Sequence, residues 1–190
     1  MEKCSDEIDM LIEDFKTFNE AVNIATAAKE FAELAHKNQV RKFSGLPYFV
    51  HPESVANLVM KHTKDLTLTA AAYLHDTLED TPTTYNELKE KFSKKIADLV
   101  YELTSADKDE QQRVGGKAKY LTAKMEKMSS DALTIKLCDR LDNVSDKGAP
   151  ANFKERYYSE TKYILDNLTR SLNGIQQEII KLIKQKIGVD

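Results

Sequence analysis

His75, Asp76, Glu79 and Asp80 crowd the end of the short stretch "AAYLHDTLED". On a helix, His75 with Glu79 and Asp76 with Asp80 stand one turn apart, so the four side chains line one strip of surface. Three carboxylates that close repel one another. Either water screens them, or a cation or basic group sits against them. The preceding Ala70, Ala71, Ala72, Tyr73 and Leu74 suit a helix packed among others, which argues against full exposure. Imidazole beside carboxylates is a donor set for divalent metals, and a metal in such a site makes water a nucleophile near neutral pH.

Two more residues complete a ligand set. His51 closes the loop "RKFSGLPYFVHP", where a side chain is easily aimed inward, and Asp139 follows the apolar "IKLC" and flanks the buried stripe of its helix. His51, His75, Asp76 and Asp139 together offer two nitrogens and two oxygens, which leaves positions open for water, as a catalytic metal requires. Glu79 and Asp80 then stand one turn beyond the ligands, placed to handle a proton. Asn143 lies one turn after Asp139. The competing reading is a satisfied core histidine at position 75 with solvated acids around it, and spacing alone leaves both open. His36 and His62 have no such acidic company and read as surface or partly packed histidines.

The chain that positions these groups has 190 residues, enough for one domain with a sizeable core. A formal charge of −3 gives no overall basic surface, which argues against a nucleic-acid scaffold while leaving a local basic pocket for a small anion. No apolar run reaches transmembrane length. The N-terminus is too acidic for a secretion signal, so a membrane partner is not expected. Cys4 and Cys138 make neither a disulfide framework nor a thiolate metal site, and both read as reduced thiols of a cytoplasmic protein. Whether the chain forms a homo-oligomer is left open.

Nearly everything reads as helix, and the fold class expected is all-α. Residues 1–19 form an acidic amphipathic helix whose Ile8, Leu11, Ile12, Phe15 and Phe18 are expected to pack on the domain, which spans 20–190. A second helix runs from about Glu20 to Lys37. Gly45 and Pro47 turn the loop before His51, and Pro52 suits the first turn of the next helix. Thr83 or Thr84 caps "TYNELKEKF", and Ser129 or Ser130 caps "DALTIKLCDRLDNVSD", with Leu133, Leu137, Leu141 and Val144 buried. "SADKDEQQRVGGK" is polar and glycine-containing and reads as a loop over the surface. Two last helices are expected at about Asn152 to Leu172 and Gly174 to Ile187.

"RKFSGLPYFVHP", "LHDTLEDT" and "KLCDRLDN", in that order, resemble the hydrolase domain of RelA/SpoT-type alarmone enzymes, above all the stand-alone small alarmone hydrolases of the HD superfamily. The likeness runs from about Asn23 to Lys147 and implies a single HD-domain helical bundle. It implies that His51, His75, Asp76 and Asp139 hold one divalent metal, usually manganese, and that Glu79 and Asp80 position and activate water. It further implies that Arg41 stacks on guanine, that Lys42 approaches phosphate, and that Asn143 meets the nucleotide. The implied reaction removes pyrophosphate from the 3′ position of ppGpp or pppGpp, returning GDP or GTP. The long family members commonly continue after this asparagine with "MRT", where this chain has Val144, Ser145 and Asp146, so a cation is missing and an acid gained. Their synthetase half is absent from this sequence. The alternatives are an HD phosphohydrolase for another nucleotide, NADPH included, and a catalytically silent nucleotide-binding module.

Overall fold

The computed structural model describes residues 2–105 and 108–189, and the side chains of residues 10–105 and 109–189. Its helices are α1 (Glu2–Ala35), α2 (Val50–Thr63), α3 (Leu66–Leu74), α4 (Thr77–Asp80), α5 (Tyr85–Lys91), α6 (Lys94–Leu103), α7 (Lys108–Arg113), α8 (Lys117–Lys127), α9 (Ser130–Ser145), α10 (Ala151–Asn167) and α11 (Gly174–Ile187). Among the described residues there is no strand, only one isolated bridge between Val40 and Pro47. The all-α expectation holds.

Helix α3 is the axle of the bundle. Asp65 caps its start by accepting the amides of Thr67 and Leu68, and every residue from Leu68 to Leu74 is buried. Small side chains let neighbours come close: Ala25, Ala28 and Ala32 of α1 belong to the same core as Ala70, Ala71 and Ala72, and α1 packs on α3. On other sides α3 meets α2, α6 and α9. Leu133, Leu137, Leu141 and Val144 of α9 are buried as their spacing predicts. Thr84 and Ser129 are the caps actually used for α5 and α9, and Asn173 with Gln176 forms a capping box at α11.

The structure corrects four expectations. Residues 1–19 and the helix after them are not separate: α1 runs unbroken from Glu2 to Ala35. Its leading part does not pack on the domain either, since Leu11 is 64%, Phe15 66% and Phe18 59% exposed. No Pro, Gly or turn signal separates the two stretches, so the backbone continues past the last residues that have a core to bury against. Ile8 and Cys4 lie outside the described side chains. The polar "SADKDEQQRVGGK" is not all loop, because Lys108–Arg113 is helical.

The fourth correction concerns the site itself. "AAYLHDTLED" is two helices, not one: α3 ends at Leu74 and α4 starts at Thr77, with His75 and Asp76 between them. Side-chain donors serve the carbonyls at the break, Nδ1 of His75 giving to Ala72 O at 2.8 Å and Oγ1 of Thr77 to Leu74 O at 2.7 Å. The segment before α2 is also built for aiming. Arg41 N donates to Leu46 O at 2.8 Å, Tyr48 N donates to Gln39 O at 2.9 Å, and Gly45 takes the positive φ of 69° that closes the turn.

Candidate active site

Three elements converge on one point. α2 brings His51, the α3–α4 break brings His75 and Asp76, and α9 brings Asp139. One donor atom each from His51, His75 and Asp76 lies within 4.8 Å of the others, the spacing of ligands about a single ion. Asp139 adjoins them, its Oδ1 3.2 Å from His51 Nε2 and 4.0 Å from His75 Nε2.

The tautomer of His75 tests whether a metal fits. Its Nδ1 carries a proton, because it donates to Ala72 O. The Nε2 lone pair then points at the cluster, buried and without a hydrogen-bond partner. An unsatisfied imidazole nitrogen aimed between carboxylates is costly in a folded protein unless a cation takes its lone pair. The donor set fits a divalent ion.

Around the cluster the charges are interlocked. Burial pulls the His51 imidazole towards neutrality, but hydrogen bonds to Asp139 and Asp142 and the charges of Asp139 and Asp76 outweigh it and lift its pKa to about 9. Burial works against ionisation of Asp139 too, yet the Lys136 ammonium 2.8 Å away, with the His51 hydrogen bond, holds that carboxyl well below the usual range. Asn143 Nδ2 donates to Asp139 Oδ1 at 2.6 Å. Tyr48 spans two acids, its hydroxyl 2.8 Å from Asp76 Oδ2 and 3.2 Å from Asp80 Oδ2.

Glu79 and Asp80, on α4, reach the same space but are held differently. Glu79 accepts the Ser105 amide at 2.9 Å. Asp80 is pushed above the usual carboxylate range by partial burial and then by the charges of Asp76 and Glu79, which suits a group that must take up and release a proton.

The cluster and the acidic pair open into a cavity of about 700 Å³. Arg41 and Asn143 line it, and Lys117, Lys136 and Arg140 add positive charge to its wall. Lys42 is the exception among the residues singled out in the sequence. It is exposed, with Nζ 5.5 Å over the ring of Phe43, and does not line the cavity. His36 and His62 are packed rather than functional in placement: His36 is buried with Nδ1 2.7 Å from Gln39 Oε1, and His62 Nδ1 is 3.7 Å from Glu178.

The frame is that of known proteins. Residues 28–175 match the family model described as HD domain. The chain belongs to the HD-domain family. This HD domain is 30% identical to a Mus musculus protein, guanosine-3′,5′-bis(diphosphate) 3′-pyrophosphohydrolase MESH1, over 88% of its own length and 94% of the relative's. A solved structure, described as a metazoan ortholog of SpoT that hydrolyzes ppGpp and plays a role in starvation responses, superposes with a TM-score of 0.70 at 26% identity, over 86% of this chain and 95% of that one. A guanosine-3′,5′-bis(diphosphate) 3′-pyrophosphohydrolase of Aquifex aeolicus is 40% identical over 126 residues, 62% of this chain and 17% of that protein. The HD domain thus spans less than a fifth of the length of that relative.

Several residues of the site carry no obvious signal in the sequence. Tyr48, Lys136 and Asp142 each stand three residues from a candidate ligand or acid, at 51, 139 and 139 respectively. One helical turn from a ligand is the signal that could have found Lys136 and Asp142. Tyr48 sits in a loop, where no period applies.

Proposed function

We propose that this HD domain hydrolyses the 3′-pyrophosphate of ppGpp or pppGpp, releasing GDP or GTP and pyrophosphate, with one divalent metal, Mn²⁺, held by His51, His75, Asp76 and Asp139. The observation that carries the reading is a single cavity bounded by a metal-type cluster, two further acids and Arg41. Similarity to MESH1 over most of both chains supports the substrate class.

The metal supplies Lewis acidity for the scissile phosphate and for water. The chain supplies the rest. Glu79 and Asp80 order the attacking water and accept its proton as its oxygen bonds to the phosphorus and the bond from phosphorus to the ribose 3′ oxygen breaks, and that proton is then returned to the 3′ oxygen. Lys117, Lys136 and Arg140 offset the charge of the 3′-diphosphate under attack, and Asn143 holds Asp139 in place while presenting a polar edge to the nucleotide. Arg41 offers a flat guanidinium for stacking on guanine.

Asp146, the acid gained after Asn143, faces this guanidinium. Arg41 Nη2 donates to Asp146 Oδ2 at 3.1 Å, with both side chains mostly buried, and Gly148 N donates to the other oxygen at 2.8 Å. Asp146 is therefore a partner of the base-stacking residue, and its negative charge is already matched. Arg41→Ala raises KM for ppGpp with little change in kcat, because stacking is made in ground and transition states alike. Steady-state kinetics on ppGpp and its adenine counterpart check this. Guanine preference that survives the substitution removes Arg41 from the base site, and absent ppGpp turnover beside hydrolysis of another nucleotide transfers the function to that nucleotide.

Metal binding should depend on pH in a defined direction. In the metal-free protein His51 is protonated below about 9, so the ion must displace that proton. Mn²⁺ affinity therefore rises with pH by up to about tenfold per unit as neutral conditions give way to mildly alkaline ones, levelling near the His51 pKa. Calorimetry in buffers of different ionisation enthalpy should find about one proton released per ion near neutral pH. No proton release would mean that the ion displaces no proton from His51.

A further inference from the structure

Position 142 carries a carboxylate that no part of the reaction uses directly. Asp142 Oδ2 lies 2.6 Å from His51 Nδ1, and its Oδ1 accepts the hydroxyl of Ser54. Both oxygens are thus engaged by α2, where His51 and Ser54 are one turn apart. On α9, Asp139 and Asp142 are likewise one turn apart. The imidazole is bracketed between them, Asp139 against Nε2 and Asp142 against Nδ1.

The two acids have different fates once an ion is bound. With both Asp139 and His51 Nε2 serving as ligands, Asp139 would no longer be the group that fixes the ring. Asp142 remains as its single anionic hydrogen-bond acceptor. Nδ1–H on Asp142 fixes the tautomer that leaves the Nε2 lone pair for the ion, sets the ring plane, and makes that nitrogen a better donor. Ser54 holds the carboxylate from behind, so Asp142 does not swing away. His75 solves the same problem differently, with a backbone carbonyl, Ala72 O, on its Nδ1. The two histidines therefore differ: one is held by a neutral acceptor and the other by a charged one.

We infer that Asp142, buttressed by Ser54, is a positioning residue that tunes metal affinity by holding His51 in its ligand geometry. This rests on the metal site proposed above. The competing role for the same contacts is a clip between α2 and α9 with no influence on the ion.

Titration of Mn²⁺ into metal-free full-length wild type, Asp142→Asn, Asp142→Ala and Ser54→Ala separates the two. Asp142→Ala should weaken Mn²⁺ binding about 10–100-fold, as loss of an outer carboxylate partner of a ligating histidine typically does. Asp142→Asn should recover part of that loss, because its amide oxygen still accepts Nδ1–H without the charge. Ser54→Ala should weaken binding less than Asp142→Ala. Melting of each metal-free protein is measured alongside. An Asp142→Ala protein that melts lower yet binds Mn²⁺ within about twofold of wild type overturns the inference in favour of the clip. Equal losses in Asp142→Asn and Asp142→Ala overturn it as well, since shape and acceptor would then count for nothing. A wild-type protein that binds no Mn²⁺ brings down the metal site and this inference together.

Discussion

Glu79→Gln and Asp80→Asn bind metal and nucleotide as the wild type does but turn over about 10²–10⁴-fold more slowly, the usual contribution of a positioned general acid or base. Each substitution keeps shape and an acceptor oxygen. After Glu79→Gln the side-chain oxygen can still accept the Ser105 amide, which Glu79 accepts at 2.9 Å. After Asp80→Asn it can still accept the Tyr48 hydroxyl, which Asp80 accepts at 3.2 Å. Only the ability to take a proton is removed. Single-turnover rates with saturating Mn²⁺ isolate that step from binding. The losses need not be equal: Asp80 has the raised pKa and shares Tyr48 with Asp76, whereas Glu79 is tied to a backbone amide. A wild-type single-turnover rate in either variant strips that residue of its role.

Asp139→Ala has the second large effect, and it has two parts. The variant loses a metal ligand, so Mn²⁺ occupancy falls. It also leaves the Lys136 ammonium, whose partner stood at 2.8 Å, in a largely buried site beside a His51 that has lost an acceptor. Breaking a buried ion pair by removing one member typically destabilises by about 3–5 kcal/mol. The metal-free protein should therefore unfold at lower denaturant than wild type. Adding Lys136→Met should recover most of that stability without restoring the metal, because the orphaned charge goes and the missing ligand does not return. Asp76→Ala should lose the metal with a smaller stability penalty, since Tyr48 keeps Asp80 as an acceptor. Metal analysis and denaturant unfolding of the three proteins check the pattern, and full occupancy in either single variant removes that aspartate from the site.

The legible part of the site was local. His75 and Asp76 are adjacent, Glu79 and Asp80 follow within a turn, and Asp139 and Asn143 share a helix face, so residue type and period were enough to single them out. The helical frame was legible for the same reason: capping residues such as Thr84, Ser129 and Asn173 and apolar stripes such as Leu133, Leu137 and Leu141 report their own surroundings. The break between α3 and α4 was not. Ala, Leu and Glu favour helix on both sides of it, and the interruption depends on His75 and Thr77 side chains serving the carbonyls of Ala72 and Leu74. The fate of the leading helix was equally hidden, because an apolar stripe at Leu11, Phe15 and Phe18 states a preference for burial and not whether anything lies within reach.

Asp146 shows the difference most directly. By sequence it is an acid gained next to a lost cation, since Ser145 and Asp146 stand where the long family members commonly read "RT", a feature that counts against an anionic substrate. In the folded chain it meets Arg41 from a loop 105 residues away, and the charge is matched. Sequence determined which groups exist, their order and the helices that carry them, because those depend on neighbours within a turn or two. Tertiary structure decided the pairings: Tyr48 with Asp76, Asp142 with His51, Asp146 with Arg41, and Lys42 turned outward to Phe43. A charge's effect depends on what stands within a few ångströms of it, and that distance is set by how α2, α3 and α9 pack rather than by spacing along the chain.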